Sequence, residues 1–151
     1  MINFINLILF YFLLWTFVLY WIHRLAHKIL IIKSWHWDHH SYVARHGMTG
    51  WQWNNLFLYN DTNISTLDLW VTEVIPTIIF SWITGQWWIF ALYYIWAAFF
   101  QETFEHNKNV DVPIFTSGRW HLVHHRHVNK NYGLFLPVWD IIFGTYKHVD
   151  K

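Results

Sequence analysis

Nine of the twelve histidines in this 151-residue chain stand at patterned positions. His23 and His27 form HxxxH. His36, His39 and His40 form HxxHH, and His121, His124 and His125 repeat that spacing. His106 stands alone between the two triplets. Residues three and four apart share one face of a helix, so the imidazoles of each motif are expected to converge on one point. Neutral imidazole is the commonest side-chain metal ligand, and several converging imidazoles suit iron, zinc, copper or nickel. One HxxxH arises readily by chance in so histidine-rich a chain. Two HxxHH motifs do not, so they carry the signal. One ion takes three or four protein ligands, and nine candidates therefore imply two ions. Asp38, Glu102, Glu105 and Asp140 are the acidic residues near these motifs. They are either carboxylates that orient imidazoles or ordinary solvated charges. His46, His127 and His148 fall outside the pattern and read as surface residues.

The elements that must position these histidines are apolar. Hydrophobic residues make up 55% of the chain, aromatics 23% and charged residues only 13%. Soluble domains carry about 25% charged residues, so this is neither an ordinary soluble domain nor a disordered chain. A net charge of +1 offers no field for nucleic acid. The absence of Cys removes disulfides, iron–sulfur clusters and thiol nucleophiles together. Residues 2–22 contain no charged side chain. As a helix they would run about 32 Å, the thickness of a hydrocarbon core. They lack the basic start, short apolar stretch and small-residue cleavage site of a signal peptide, so a retained helix is expected. A second apolar region is broken at Gly85-Gln86 beside Trp82, Trp87 and Trp88. Gly with a polar neighbour is a turn signal, and Trp favours the membrane interface. A hairpin is therefore expected, with legs at 67–84 and 86–104.

The charges fit three crossings. All ten Lys and Arg lie within Arg24–Arg45 or Lys108–Lys151. Three crossings put them on one side, which the positive-inside rule makes cytoplasmic. Both sets of histidines fall on that side too. The expected fold is thus all-α: a single multi-pass membrane domain over 1–151, about three transmembrane helices under a cytoplasmic helical cap that holds a histidine di-metal cluster. Glu73 lies two turns inside the second helix and is expected to be solvated or paired near its cytoplasmic end, with Pro76 kinking the helix. The aromatic stretch Trp51–Tyr59 reads as interfacial.

The order HRLAH (His23–His27), WHWDHHS (Trp35–Ser41), EHN (Glu105–Asn107) and WHLVHH (Trp120–His125) resembles the fatty acid hydroxylase/sterol desaturase superfamily. The ending NYGLFLPVWDIIFGTY (Asn131–Tyr146) is similar to that family's as well. The resemblance implies a membrane oxygenase with two iron ions, or zinc in a purified form, that hydroxylates or desaturates a sterol-type or fatty acyl lipid with O2. It implies that His23, His27, His36, His39, His40, His106, His121, His124 and His125 are the metal ligands. How they divide between two ions stays open. Electrons must come from outside, since no GxGxxG fingerprint is present, and a ferredoxin or b-type cytochrome is the expected donor class. Some members carry a further His where this chain has Val110, leaving water, Asn107 or Asn109 to substitute. Many have more membrane helix before the first histidine motif, which leaves the lipid-facing cavity here either thinner or completed by another subunit in a homo-oligomer. A carotenoid hydroxylase, a non-catalytic membrane metal-binding protein and a zinc hydrolase stand as alternatives, the last weakened by the lack of HExxH.

Overall fold

The computed structural model describes residues 3–47, 49–112 and 114–148, and among them there is no β-strand. Helix α1 spans Phe4–Ala26 and opens on Asn3, whose side chain accepts the Asn6 N–H. Lipid-like composition marks its first five turns, but the helix runs on through Arg24, so its boundary differs from the expected 2–22. Backbone hydrogen bonding continues through a charged residue where apolarity stops. His23 is therefore helical and His27 is the C-cap. Ile2 lies outside the described residues. Helix α2 (Leu30–His46) follows after a three-residue turn and carries the whole first HxxHH motif. A short 3-10 turn at Trp53–Phe57 exposes Trp53 and Phe57.

The second long helix has three parts. It runs as α3 (Asn63–Leu69), a π turn (Trp70–Val74) and α4 (Ile75–Thr84). It starts four residues before the expected Leu67 because Thr62 caps it, its hydroxyl accepting the Ser65 N–H. Pro76 has no N–H to give the carbonyl four residues back. The ladder slips there, and Ile75 N–H bonds to Trp70 five residues back. Gly85 closes the helix in the left-handed region (φ 71°), where glycine alone is unstrained. The chain then reverses into α5 (Trp87–Phe99). That leg is shorter than the expected 86–104: it breaks at Phe100 (φ −120°) and resumes as α6 (Gln101–Phe104). Helix α7 (Arg119–Arg126) carries the second HxxHH motif, and α8 (Val138–Ile142) ends the fold.

Among the described residues, two helices are long and apolar enough to cross a membrane. They are Phe4–Ala26, at mean hydropathy 2.0, and Asn63–Thr84, at 1.3. Between α1, the π turn, α4 and α5 lies an aromatic core. Trp15 packs on Phe135 at 4.7 Å and on Tyr93 at 6.2 Å, and its indole N–H donates to Thr77. The same helices leave Phe4, Ile5, Phe10, Trp82 and Ile83 more than half exposed, a surface suited to lipid rather than water. This core holds α1 against the π turn and α4, while α3 packs on α2; the histidines sit at the end of α1, on α2, just after α6 and on α7.

Candidate metal centre

Helices α1, α2 and α7 deliver their imidazoles to one buried place, where they sort into two groups. His23, His27, His36 and His124 form the first; His39, His106, His121 and His125 form the second. Within each group the ligand atoms lie within 4.8 Å of one another. Each HxxHH triplet is split between the groups, contrary to the expected convergence on one point. His36 joins the first group and His39 the second. His124 joins the first, and His121 and His125 the second. Positions three apart on a helix diverge by about 60°, enough to serve two ions that lie side by side. His40 bridges the groups: its Nε2 stands 3.1 Å from His36 Nε2, and its ring stacks on His125 at 4.1 Å. All nine patterned histidines are thus brought together, while His46, His127 and His148 are exposed.

The facing nitrogens cannot be explained as hydrogen bonds alone. His23 Nδ1 lies 2.8 Å from the Tyr132 carbonyl and His124 Nδ1 lies 2.7 Å from the Lys130 carbonyl. A carbonyl only accepts, so in both rings Nδ1 carries the proton and Nε2 is a bare lone pair. His36 Nδ1–H donates to Asp68 Oδ2 at 2.7 Å and leaves its Nε2 bare as well. Yet His23 Nε2 and His36 Nε2 face each other at 3.1 Å. Two lone pairs at that distance repel unless a cation lies between them. Imidazole nitrogens bound to one ion at about 2.0–2.1 Å stand roughly 3.0–3.4 Å apart. The spacings His27–His124 (3.0 Å), His121–His125 (3.0 Å) and His106–His125 (3.2 Å) match that range too. The donor set therefore fits two transition-metal ions held by nitrogen.

Burial makes these imidazoles neutral and ready to bind. Desolvation lowers His27 to about 4 and holds His36, His40, His106, His121, His124 and His125 well below the ordinary histidine value. His39 goes the other way. Burial alone would lower it, but the hydrogen bond to Asp61 at 3.4 Å and the fields of Asp61, Asp68 and Glu105 push it up to about 9.

The carboxylates singled out from sequence have separate jobs. Glu105 approaches His121 Nδ1 at 3.7 Å. Asp140, fully buried, accepts the N–H groups of Tyr132 and Gly133 at 2.8 Å each and the Thr145 hydroxyl. It thereby holds the backbone whose Tyr132 carbonyl orients His23. A Cβ at Gly133 would lie 2.5 Å from the Leu136 carbonyl and 2.9 Å from Asp140, so only glycine fits there. Asp38 instead ties Thr62 and Ser65 at the start of α3, and Glu102 accepts from Thr49; neither bonds an imidazole. Asn107 turns its amide to the Thr103 carbonyl, and Asn109 is exposed. Asp61, Asp68 and the carbonyls of Lys130 and Tyr132 went unnoticed in sequence. The two aspartates lie over 20 residues from the imidazoles they touch, and a carbonyl has no sequence signal. Of the two expectations for Glu73, solvated or paired, the second holds: it sits in the π turn with a partner. It accepts from Tyr93 at 3.3 Å and lines a small cavity shared with His23, His36, His39 and His121.

The chain resembles known proteins over most of its length. It is 28% identical to a Delta(7)-sterol 5(6)-desaturase of Aspergillus fumigatus over 87% of this chain and 34% of that protein. A second such desaturase of the same fungus is 28% identical over 89% and 37% respectively. One from Leptosphaeria maculans is 24% identical over 85% and 33%. The chain thus spans about a third of the length of these curated relatives. No solved structure matches it significantly. The sequence profile of the fatty acid hydroxylase family matches residues 8–145, which takes in every one of the nine clustered histidines, and the chain belongs to that family.

Proposed function

We propose that this chain forms the di-metal centre of a membrane oxygenase that hydroxylates or desaturates a lipid of sterol or fatty acyl type. The observation that carries the reading is the pair of imidazole groups with Nε2 lone pairs turned inward at metal-ligand spacing. One ion is held by His23, His27, His36 and His124 with His40 as a fifth donor, the other by His39, His106, His121 and His125. Iron is the metal the family resemblance favours; two such ions would supply the reductive activation of O2 that lets an unactivated C–H bond be broken. The protein's part is to hold the imidazoles, exclude bulk water and admit the lipid. A groove of about 590 Å3, lined by Leu30, Trp37 and Val128 together with the polar Lys33, Ser34 and Asn129, runs up to His27 and gives a lipid an approach to the first group.

The two long apolar helices and the α4–α5 hairpin, with Trp82 and Trp87 exposed at its tip, support a multi-pass membrane placement. All Lys and Arg then share the histidine side, which is cytoplasmic. Electrons arrive from a ferredoxin or b-type cytochrome docking on that side, and a second copy of the chain can complete the lipid-facing wall. The relatives' names favour a sterol over other lipids. Expression of the full chain in cells supplied with ¹⁸O2, followed by lipid profiling and metal analysis, tests the reading. An oxygen-dependent lipid product and two iron ions per chain are expected; an unchanged lipid profile with no bound metal would sink it.

A further inference from the structure

Any such reaction consumes protons. Inserting one oxygen atom of O2 into a C–H bond and releasing the other as water takes up two electrons and two protons; desaturation, which yields an alkene and two waters, takes up the same. The electrons come from the external one-electron carrier named above. Three of the imidazoles are not free to carry the protons: Nδ1 of His23, His36 and His124 is committed to a carbonyl or carboxylate and Nε2 faces the metal position.

Two small polar cavities supply another route. The inner one, about 30 Å3, lies between the two imidazole groups and is bounded also by Glu73, Gln101 and Glu102. The outer one, also about 30 Å3, is bounded by Thr49, Gln52, Asn55 and Asp61, of which Thr49 and Gln52 are exposed. A water needs about 10–15 Å3, so each has room for about two. Glu102 lines both cavities. It is 6% exposed and accepts from Thr49 at 3.1 Å. Next to it Gln101, 4% exposed, keeps a buried Oε1 with no partner on the wall of the inner cavity, as a side chain does that expects a water there.

We propose that Glu102 is the proton-positioning gate of this centre, passing protons by way of water from the outer cavity at Thr49 to the inner cavity between the two imidazole groups. This rests on the oxygenase reading. A proton from bulk solvent arrives through the outer cavity and joins one Glu102 oxygen while the proton on the other leaves to an inner water, so the carboxyl is unchanged after each transfer. Burial, reinforced by Asp61, pushes the Glu102 carboxyl up to about 7, where it both takes and gives protons at neutral pH. Glu73, bonded to Tyr93, forms the far wall of the inner cavity.

The test uses the full iron-loaded chain in lipid nanodiscs, as wild type and as Glu102→Gln. At neutral pH the wild type should show an infrared band of a protonated carboxyl that is missing in Glu102→Gln, while both hold two irons. A wild-type-minus-variant difference spectrum with no protonated-carboxyl band, or loss of iron from the variant, overturns the proposal. During turnover the variant should make on the order of tenfold less product per O2, release peroxide instead, and recover when a small acid such as formic acid is added. Equal coupling in the two proteins, or no recovery, also overturns it. A wild type that consumes no O2 would defeat the oxygenase reading, and the infrared and iron measurements would still decide the role of Glu102.

Discussion

In the first imidazole group His23 and His124 lean on backbone carbonyls, whereas in the second His39 and His121 face the carboxylates of Asp61 and Glu105. The carbonyl contacts are short, at 2.7–2.8 Å, and so is the one carboxylate contact of the first group, Asp68 on His36 at 2.7 Å; the carboxylate contacts of the second group are long, at 3.4–3.7 Å. A carbonyl fixes a ring's tautomer and angle without adding charge. A carboxylate adds negative charge and raises the ligand's basicity, and at His39 it holds a proton on the ring when the metal is away. The first group is thus a preformed cage, and the second is a looser one matched to charge. Two divalent ions held in a buried site by neutral imidazoles alone would have no anionic ligand of their own, so nearby negative charge would be needed. Asp61, Asp68 and Glu105 surround the groups with that charge.

Removing one ligand from each group should break the symmetry most strongly. His124→Ala takes a fully buried ligand from the first group and should leave one metal ion per chain, held by the second. His121→Ala should leave the other. Activity should vanish in both. Metal content by mass spectrometry, with cobalt spectra to tell the two sites apart, reads the outcome. Simultaneous loss of both ions in either variant would mean that the groups form one cooperative unit rather than two cages.

A subtler change reaches the first group through its frame. Asp140 accepts from Gly133 N–H at 2.8 Å and from Thr145 at 2.6 Å. In Asp140→Asn the amide turns N–H groups toward one of these donors. The 130–133 turn then shifts, and with it the carbonyls that orient His23 and His124. First-group affinity should fall roughly 10–100-fold while the second group is unchanged, as read by chelator competition. An equal fall at both groups would show Asp140 to be a general support of the fold.

Much of this was legible in the sequence, and the illegible part has a pattern. Histidine spacing marked eight of the nine ring positions, because local helix geometry puts i, i+3 and i+4 near one side, and the EHN motif of the family resemblance marked His106. The Gly85 turn was legible because left-handed backbone has a residue signature. Spacing could not say that His36 and His39 serve different groups, since that depends on where α1 and α7 bring their own rings. Nor could it find Asp68, which reaches His36 only when α3 packs on α2. The π turn was hidden for another reason. Pro76 announces a disturbed helix, but whether the ladder kinks or slips is decided by the packing of α1 against that turn.

The smallest effect is in the response to pH, and it separates the groups without mutation. In the metal-free protein His39 sits at about 9, so at neutral pH it is protonated and a metal must expel that proton. Second-group affinity should therefore rise with pH from 7 to 9. First-group imidazoles such as His27, at about 4, are already neutral there, so first-group affinity should stay flat. Stability of the metal-free protein follows the same two residues with opposite signs. His27, lowered on folding, contributes stability that is present above the unfolded value of about 6.5 and is lost as pH falls toward 4. His39, raised on folding, contributes stability that is full below about 6.5 and is lost as pH rises through 9. The melting temperature of the metal-free chain should thus peak near pH 6.5. Asp61→Asn removes the hydrogen-bonded carboxylate that holds the proton on His39, so it should flatten the alkaline side of that peak alone. A variant that flattens the acid side instead would place the retained proton in the first group and reverse the assignment of the two cages.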